Sequence, residues 1–353
     1  MNIFKDKKVL ITGHTGFKGS WLATWLNMKG AKVHGIALNP LSQPSNFDIS
    51  CIGEITESSY INDIKDLDVI KNIVNEIQPD FIFHLAAQAL VKESYTNPVN
   101  TMATNAIGTI NILEALKGLS KCICILVTSD KCYKNNEWVW GYREQDELGG
   151  EDPYSASKAM AEIAINSYFK SFFEGNSDLL IGSARAGNVI GGGDWSNDRI
   201  IPDAMKQWSV DEVLQIRMPH ATRPWQHVLE PLSGYIRMAE ALYKKEIKSG
   251  SSYNFGPPKE SNRTVGELVE RLSALVTNKE CIVDLDQSSQ IKESNLLHLC
   301  TDKAHDELHW KPKLNFSETL DFTSKWYMEF YSGNKNMRQI SEKQIELFEN
   351  KKQ

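Results

Sequence analysis

The chain has 353 residues, of which 41% are hydrophobic and 24% are charged, and its formal net charge is −6. This composition is typical of a globular protein with a full hydrophobic core, and the length predicts about two domains, or one large domain with a lobe. No basic stretch is long enough to follow a nucleic-acid backbone, so we expect no DNA or RNA partner.

The first residues run straight into a strand-like segment, without the basic and apolar regions of a secretory signal. No apolar run approaches the roughly 18 residues that a membrane span requires, so we expect no membrane partner. The cysteines show neither CxxC pairs nor histidine neighbours at metal-ligand spacing, which predicts free thiols in a reducing cytoplasm and no bound metal. They are Cys51, Cys122, Cys124, Cys132, Cys281 and Cys300.

A glycine-rich turn follows the first predicted strand. Lys8 to Thr12 is a short apolar run typical of a buried parallel strand, the amphipathic segment Ser20 to Lys29 predicts a helix, and Val33 to Leu38 predicts a second strand. This order is typical of a dinucleotide-binding site, in which the pyrophosphate sits at the helix N-terminus. The candidate cofactor-binding residues are Gly13, His14, Thr15, Gly16, Phe17 and Gly19. The alternative is an ordinary strand-to-helix turn that favours glycine.

The end of the second strand bears on the choice of cofactor. Dinucleotide sites usually carry Asp or Glu there for the ribose hydroxyl, whereas this chain has Asn39. No arginine lies between Lys32 and Ser59 to hold a 2′-phosphate. The sequence therefore favours NAD over NADP, with Asn39 as a weaker ribose ligand. Residues 40–60 are predicted to form a surface loop.

Further cofactor contacts are predicted after the next two strands. Tyr60 to Ile64 predicts a short strand, with Asp63 as a candidate for the adenine amine and Ile64 beside it. The alternative for Asp63 is the N-cap of a helix over Leu67 to Ile77. A strand over Asp80 to His84 leads into small residues that let a dinucleotide pass close to the backbone. These candidates are Ala86, Ala87 and Gln88.

A tyrosine and a lysine are predicted to share one helix face. Asp152 is a suitable N-cap and Pro153 suits the first helical position, so a helix should begin there. Tyr154 and Lys158 then lie about one turn apart. The ammonium would lower the pKa of the phenol from about 10 toward neutrality, which would let it take a proton from a substrate hydroxyl while hydride leaves the same carbon. The alternative is chance, because YxxxK occurs often.

The segment after the predicted strand Cys122 to Val127 adds two polar candidates. Strand alternation would place Thr128 and Asp130 on the same side, where both reach one substrate. A buried carboxyl near a negative diphosphate holds a proton through a raised pKa, so Asp130 is a candidate acid. The alternative is that Asp130 caps the following turn.

Strands alternating with helices predict an α/β fold: a Rossmann-type doubly wound parallel sheet with a smaller C-terminal substrate-binding lobe. Further strands are predicted at Leu179–Ala184 and Tyr253–Phe255, and further helices at Val99–Leu116, Glu230–Lys245, 264–276 and 317–331. We expect an NAD-binding domain of residues 1–186 plus about 225–250, and a lobe of residues 187–224 and 251–330. Residues 331–353 are expected to be a polar C-terminal tail with one weak helix.

A loop-rich tract near the expected domain boundary gathers side chains that suit a phosphate-bearing, aromatic-capped ligand. They are Arg185, Arg199, Arg217, His220 and Arg223, together with Trp195 and Trp225. The alternative is that these arginines are solvated surface residues.

Taken together, the motifs TGHTGFKG, HLAAQ, YSASK and RAGNVIG resemble the extended short-chain dehydrogenase/reductase superfamily across essentially the whole chain. Within it, the chain is similar to the nucleotide-sugar 4,6-dehydratases, and most closely to their CDP-glucose branch. The stretches that carry this similarity are GHTGFKGSWL, TSDKCY, WVWGYRE, AGNVIGGGDW and RPWQHVLEPLSGY.

The resemblance implies that a nucleotide sugar loses water while hydride passes from C4 to C6 through bound NAD, in deoxysugar biosynthesis. It implies that Tyr154 removes the C4 hydroxyl proton, Thr128 bonds the C4 oxygen and Asp130 protonates the departing C6 hydroxyl. Many dehydratases have Glu next as the C5 base, whereas this chain has Lys131, as the CDP-glucose branch does. Lys131 is then a neutral base, a stabiliser of the enolate or a structural charge partner.

The resemblance also implies partners. Asn188 and Arg223 match positions that hold the substrate diphosphate, with Asn254 a weaker match. From the cationic tract, Arg199, Arg217 and His220 join them as substrate-binding candidates. Members of the family associate through sheet-flanking helices, which implies a homodimer or homotetramer.

Three other functions compete with this interpretation. A nucleotide-sugar epimerase or reductase shares the fold, but the Asp130-Lys131 pair argues against it. A non-catalytic dinucleotide-sensing protein would tend to lose Tyr154 or Lys158, and both are present. A 4,6-dehydratase of a GDP- or dTDP-linked sugar stays open, because the base-binding residues cannot be identified from one sequence.

Overall fold

The computed structural model describes residues 2–216, 218–276, 284–285 and 297–351. Its strands are β1 (Lys8–Thr12), β2 (Lys32–Ala37), β3 (Ser58–Ile61), β4 (Phe81–His84), β5 (Cys122–Val127), β6 (Leu179–Ala186), β7 (Val189–Ile190), β8 (Gln215–Ile216), β9 (Thr222–Pro224), β10 (Gln226–His227), β11 (Ser251–Phe255), β12 (Asn262–Thr264) and β13 (Asp284–Leu285). Its α-helices are α1 (Phe17–Met28), α2 (Asn46–Ile49), α3 (Leu67–Ile77), α4 (Val91–Thr96), α5 (Pro98–Met102), α6 (Gly108–Leu116), α7 (Pro153–Tyr168), α8 (Ile200–Trp208), α9 (Leu229–Tyr243), α10 (Val265–Val276), α11 (Asp302–Leu308), α12 (Phe316–Tyr331) and α13 (Met337–Asn350).

Seven strands form one parallel sheet in the order β11-β6-β5-β4-β1-β2-β3. The strand order reverses between β1 and β4, so a crevice opens outside the carboxyl ends of these two strands. The predicted Rossmann-type doubly wound sheet is confirmed. Ligand-binding residues are expected at this edge.

Alternating side chains of each central strand pack on opposite faces of the sheet. Val9 and Ile11 of β1 join the apolar cluster formed with α1 and α9, whereas Leu10 joins the cluster formed with α3 and α6. Both faces are therefore covered, which is why these strands are apolar runs rather than alternating sequences. The sheet is held rigidly from both sides, so the strand ends are well-placed supports for a site.

Two helical regions differ from the sequence-based expectation. The helix expected over 99–116 begins earlier, at Val91, and is divided into α4, α5, a π-helical turn over Ala103–Ile107 and α6. The first break falls at Asn97-Pro98, where proline starts a new helix because it has no N–H to donate. The loop expected over 40–60 contains α2, a 3₁₀ turn and the start of β3.

Beyond β6 the chain forms short strand pairs, β7 with β10, β8 with β13 and β9 with β12, between helices. Apolar residues of α8, α10 and α12 extend the cluster formed by α1 and α9. The one weak helix expected in the polar tail is α13, which packs against α1. Phe348 packs edge-on against Trp25 of α1 at 5.7 Å between ring centroids, and Glu349 accepts hydrogen bonds from Trp25 and Lys29. Met337, Ile345 and Phe348 lie on the buried face of α13, and so few apolar residues give only a weak helical pattern in the sequence.

Within the described residues, no helix is long and apolar enough to cross a lipid bilayer. Over the same ranges, no three metal-ligating side chains come together. Cys51, Cys122, Cys124, Cys132 and Cys300 are free thiols, and Cys281 lies outside the described residues.

Candidate active site

The glycine-rich turn joins β1 to α1 at the crevice. Gly13 has φ +80°, and a Cβ there would lie 2.8 Å from the backbone nitrogen of Ala86. Only glycine allows this close approach. Helix α1 starts after Gly16, and no described side chain caps its first turn. Its free N–H groups and the positive end of the helix dipole suit a pyrophosphate.

Two side chains of this turn face the protein rather than a ligand. His14 is fully buried, its Nε2 lies 2.7 Å from Ser59 Oγ, and burial lowers its pKa to about 4. Thr15 Oγ1 donates to the carbonyl of Leu38 at 2.8 Å. These side chains fasten the turn to β2 and β3, so any contact of His14 or Thr15 with a cofactor would come from the backbone.

Some of the remaining cofactor candidates have side chains that solvent reaches, whereas others have side chains that are buried in the protein. Asn39 is exposed just beyond β2, and Asp63 is half-buried, 3.4 Å from the ammonium of Lys65. The N-cap of α3 is Asp66, so the alternative assignment of Asp63 as the cap is wrong. The side chain of Ile64 is buried in the core, so any contact of Ile64 with a cofactor would come from its backbone.

After β4, Ala86, Ala87 and Gln88 are half-buried beside the glycine turn. The Gln88 amide is bonded to Leu90 O and Thr101 Oγ1, and Asn105 Oδ1 accepts from the Gln88 N–H. Asn105 also donates to Ser157 Oγ of α7 at 2.8 Å. The strand end and the tyrosine helix are therefore tied together through the π-helical turn.

Helix α7 begins as predicted, with Asp152 accepting a hydrogen bond from the Ser155 N–H at 2.9 Å and Pro153 in the first position. Tyr154 and Lys158 are both buried on it. Burial raises the pKa of Tyr154 to about 12 and lowers that of Lys158 to about 8. The predicted net lowering of the Tyr154 pKa toward neutrality is therefore wrong, because desolvation of the phenolate outweighs the nearby groups that favour it.

Burial raises the pKa of Tyr154, and a hydrogen bond with Ser129 opposes that rise. Thr128 instead donates to Glu162 Oε1 at 2.5 Å, away from Tyr154. The predicted placement of Thr128 and Asp130 on one side of a strand is therefore wrong: the Thr128 hydroxyl bonds a buried carboxylate, and the hydroxyl that bonds the phenol is that of Ser129. The end of β5 at Val127 is the reason, because residues beyond it no longer alternate as a strand does.

Asp130 lies in a 3₁₀ turn over Asp130–Cys132, not in the strand. The cap of this turn is Ser129, whose Oγ accepts from the Lys131 N–H and donates to Asp130 Oδ1 at 2.8 Å. The capping alternative for Asp130 is therefore wrong. Burial raises the pKa of Asp130, opposed by the nearby charges of Lys131 and Lys18. A buried carboxyl of this kind can deliver a proton.

Lys18, in the first turn of α1, is a further group of the site that was not among the predicted residues. Burial lowers the pKa of its ammonium to about 8, the positive charges of Arg199 and Lys158 lower it further, and Asp130 opposes them. Lys18 therefore lies within electrostatic range of Asp130, Lys158 and Arg199. The sequence feature that could have identified Lys18 is its position within the glycine-rich motif GHTGFKG.

The substrate candidates are dispersed. Arg199 pairs with Asp194 at 3.1 Å, and its charge opposes the burial that raises the pKa of Tyr154, so it lies within electrostatic range of the phenol. Asn188 and His220 are exposed, and Arg223 is half-buried on β9. Arg217 lies outside the described residues.

Asn254 and Arg185 lie inside the protein rather than on a ligand surface. Asn254 is fully buried, accepts from Tyr133 OH and donates to the carbonyls of Tyr142 and Cys300. This leaves its amide no donor for a ligand, so the predicted substrate contact is wrong. Arg185 is buried in an ion pair with Glu162 at 2.7 Å.

A doubly wound sheet with a glycine turn at its switch point and a Ser129–Tyr154–Lys158 group beside it defines a dinucleotide-dependent short-chain dehydrogenase/reductase. The family model described as GDP-mannose 4,6 dehydratase matches residues 10–323. The chain belongs to this family of nucleotide-sugar 4,6-dehydratases.

Individual relatives agree with this assignment. The chain is 43% identical to CDP-glucose 4,6-dehydratase of Salmonella typhimurium, over 94% of this chain and 93% of that protein. It is 36% identical to GDP-mannose 4,6 dehydratase 2 of Caenorhabditis elegans, over 91% and 89%. Among solved structures, dTDP-glucose 4,6-dehydratase of Bacillus anthracis in complex with NAD superposes with a TM-score of 0.77 at 20% identity, covering 95% of this chain and 99% of that one. That last likeness concerns the fold.

Proposed function

We propose that the chain is an NAD-dependent CDP-glucose 4,6-dehydratase, which converts CDP-glucose to CDP-4-keto-6-deoxyglucose and water. The observation that carries this proposal is the 43% identity to the Salmonella enzyme over nearly the full length of both chains. The buried carboxyl of Asp130 beside Ser129 supports loss of water rather than epimerisation, because a departing hydroxyl requires a proton.

The residues at the switch point fit a dinucleotide. The uncapped first turn of α1 and the close approach of Gly13 to Ala86 would hold the pyrophosphate, and exposed Asn39 would meet the ribose. When bound, NAD would supply hydride chemistry, with C4 of the sugar as hydride donor and C6 as acceptor. The absence of arginine between Lys32 and Ser59 favours NAD over NADP.

The side chains of the site divide the proton transfers among them. Tyr154 takes the C4 hydroxyl proton, and Ser129 stabilises the oxygen of the phenol as the proton moves. Lys158, with a pKa of about 8, is mostly charged at neutral pH and favours the phenolate. Asp130 then protonates the C6 hydroxyl as it leaves. Lys131, next in the turn, is the group for the C5 proton or for the enolate charge.

The test is to incubate the protein and NAD separately with CDP-, dTDP-, GDP- and UDP-glucose, and to measure product mass. We expect CDP-glucose to lose the mass of one water fastest, and the Tyr154→Phe protein to be at least about 100-fold slower. Water loss only from a GDP- or dTDP-linked sugar would contradict the assignment of CDP-glucose as the substrate. Products of unchanged mass would indicate epimerisation.

The outer faces of α4 to α7 support a homodimer. Apolar side chains stand exposed there on adjacent helices, and the exposed fractions are 79% for Val99 and 58% for Ile163. Tyr95, Ile107 and Met160 add to this surface, which we call the helix face. An apolar surface spread over packed helices is typical of a subunit interface. We propose that two copies of the chain pair through it.

A further inference from the structure

A buried carboxylate lies one turn beyond Lys158 on α7. Glu162 receives hydrogen bonds from Thr128 Oγ1 at 2.5 Å, Ser183 Oγ at 3.0 Å and Arg185 Nη2 at 2.7 Å. Burial raises its pKa, but the charge and hydrogen bond of Arg185 and the two hydroxyls outweigh burial and hold the pKa below its ordinary value. Glu162 is therefore an ionised, fully bonded group that does not face the substrate.

Arg185, the partner of Glu162 in the ion pair, is bonded to Tyr133, which follows the turn that carries Ser129 and Asp130. Arg185 donates through Nη1 to Tyr133 OH at 2.7 Å and to the carbonyl of Glu144 at 2.9 Å. Tyr133 OH in turn donates to Asn254 Oδ1 at 2.8 Å. Residues 129–132 carry Ser129, Asp130 and Lys131, and they lie between Thr128 and Tyr133. The two halves of one ion pair thus hold the two ends of this four-residue segment.

We propose that Glu162 and Arg185 are positioning residues, which clamp both ends of the 129–132 turn and so fix Ser129 and Asp130 against Tyr154. This inference rests on the proposed function of the site. Neither side chain touches the reacting atoms. A buried ion pair contributes little net stability compared with apolar residues of the same size, so a role in orientation accounts better for it. A displacement of about 1 Å in a catalytic group can cost about 100-fold in rate.

Two hydroxyls that bond the same carboxylate provide a matched comparison. Thr128→Val removes the donor that adjoins the turn, whereas Ser183→Ala removes a donor on β6 that does not. We expect Thr128→Val to lower kcat by about 10- to 100-fold with KM for CDP-glucose within about twofold, and Thr128→Ser to restore the rate. Ser183→Ala should lose a similar amount of thermal stability while keeping kcat within about twofold. Equal kcat values for Thr128→Val and Ser183→Ala would overturn the inference.

The other end of the turn gives an independent test. Tyr133→Phe keeps the ring but removes the hydroxyl that bonds Arg185, and we expect a similar loss of kcat without a change in KM. If Thr128 acts through Glu162, then Thr128→Val combined with Glu162→Gln should be no slower than the slower single variant. Additive losses would mean that Thr128 contacts the substrate directly. If Glu162→Gln fails to fold, the Tyr133→Phe result still decides, and an unchanged kcat there refutes the clamp.

The outcomes separate this inference from the proposed function. Wild-type protein that dehydrates CDP-glucose, with all turn variants equally active, refutes the clamp alone. Wild-type protein that dehydrates no nucleotide sugar refutes the function. The clamp is then tested by NMR of protein labelled at the tyrosine Cζ, in which Tyr154→Phe identifies the Tyr154 resonance. Thr128→Val should shift that resonance, and Ser183→Ala should not.

Discussion

Burial governs the ionisation of the groups that act at the site. It raises the pKa of Tyr154 to about 12, lowers that of Lys158 to about 8 and raises that of Asp130. Burial disfavours charge, so a carboxyl and a phenol keep their protons while an ammonium loses one more readily. Asp130 therefore holds its proton more firmly than an exposed aspartate would. A group that protonates a departing hydroxyl needs to hold a proton in this way.

Asp130→Asn keeps the size of the side chain and an oxygen that accepts from Ser129, but it cannot deliver a proton. We expect oxidation at C4 to survive while water loss falls by about 10²- to 10⁴-fold. Stopped-flow absorbance should show reduced nicotinamide accumulating on mixing with CDP-glucose, with product checked by mass. Ser183→Ala serves as the control with normal turnover. Formation of the 4-keto-6-deoxy product by Asp130→Asn at the wild-type rate would refute the acid role.

At the scale of elements, a carboxylate joins the start of α9 to the segment that leads into α12. Glu230 is buried and accepts hydrogen bonds from the backbone N–H groups of Lys313 at 2.9 Å and Leu314 at 2.6 Å. Burial raises its pKa from 4.5 to about 7, although these bonds and the charges of Lys313 and Lys351 oppose the change. Folding with Glu230 ionised therefore costs more free energy than folding with Glu230 protonated.

The raised pKa predicts a pH-dependent stability. The folded state binds the proton more tightly than the unfolded state, so the contribution is fully present below pH 4.5 and is lost as pH rises through about 7. The loss is about 3 kcal/mol at 1.36 kcal/mol per pKa unit. Urea unfolding at both ends of this range should show Glu230→Gln gaining about 3 kcal/mol of stability relative to wild type as pH rises. Glu246→Gln is the control: a hydrogen bond with Arg237 lowers the pKa of Glu246, so this variant should not gain stability relative to wild type as pH rises over the same range. Parallel slopes for wild type and Glu230→Gln would contradict the assignment.

At the scale of the whole molecule, the helix face is the surface that we propose to join two subunits. Ile163→Arg would place a charge at its centre, and we expect the dimer to dissociate because an unpaired charge in an apolar interface is costly to desolvate. Leu347→Arg on α13, at a side chain 63% exposed, is the matched control and should leave the mass unchanged. Light scattering during size-exclusion chromatography measures both. A monomeric wild type, or a dimeric Ile163→Arg, would contradict this interface.

Local patterns in the sequence were sufficient for most of the architecture. The limits of α3 are those predicted, α7 begins at the predicted Asp152-Pro153 cap, and the glycine turn lies between β1 and α1. Apolar runs, N-caps and glycine turns depend on neighbours within a few residues, so a single sequence contains them. The spacing of Tyr154 and Lys158 is likewise fixed by one helical turn.

Only the tertiary structure decided which side chains face the crevice. The Thr128 hydroxyl donates its hydrogen bond to Glu162, 34 residues further along the chain, and the hydroxyl that bonds Tyr154 is that of Ser129. Asn254 is sequestered by Tyr133, 121 residues away. The pKa of Tyr154 depends on how much water the assembled fold excludes, which spacing along a helix does not report. Orientation and desolvation are sums over contacts between distant segments, so they exist only once the chain has folded.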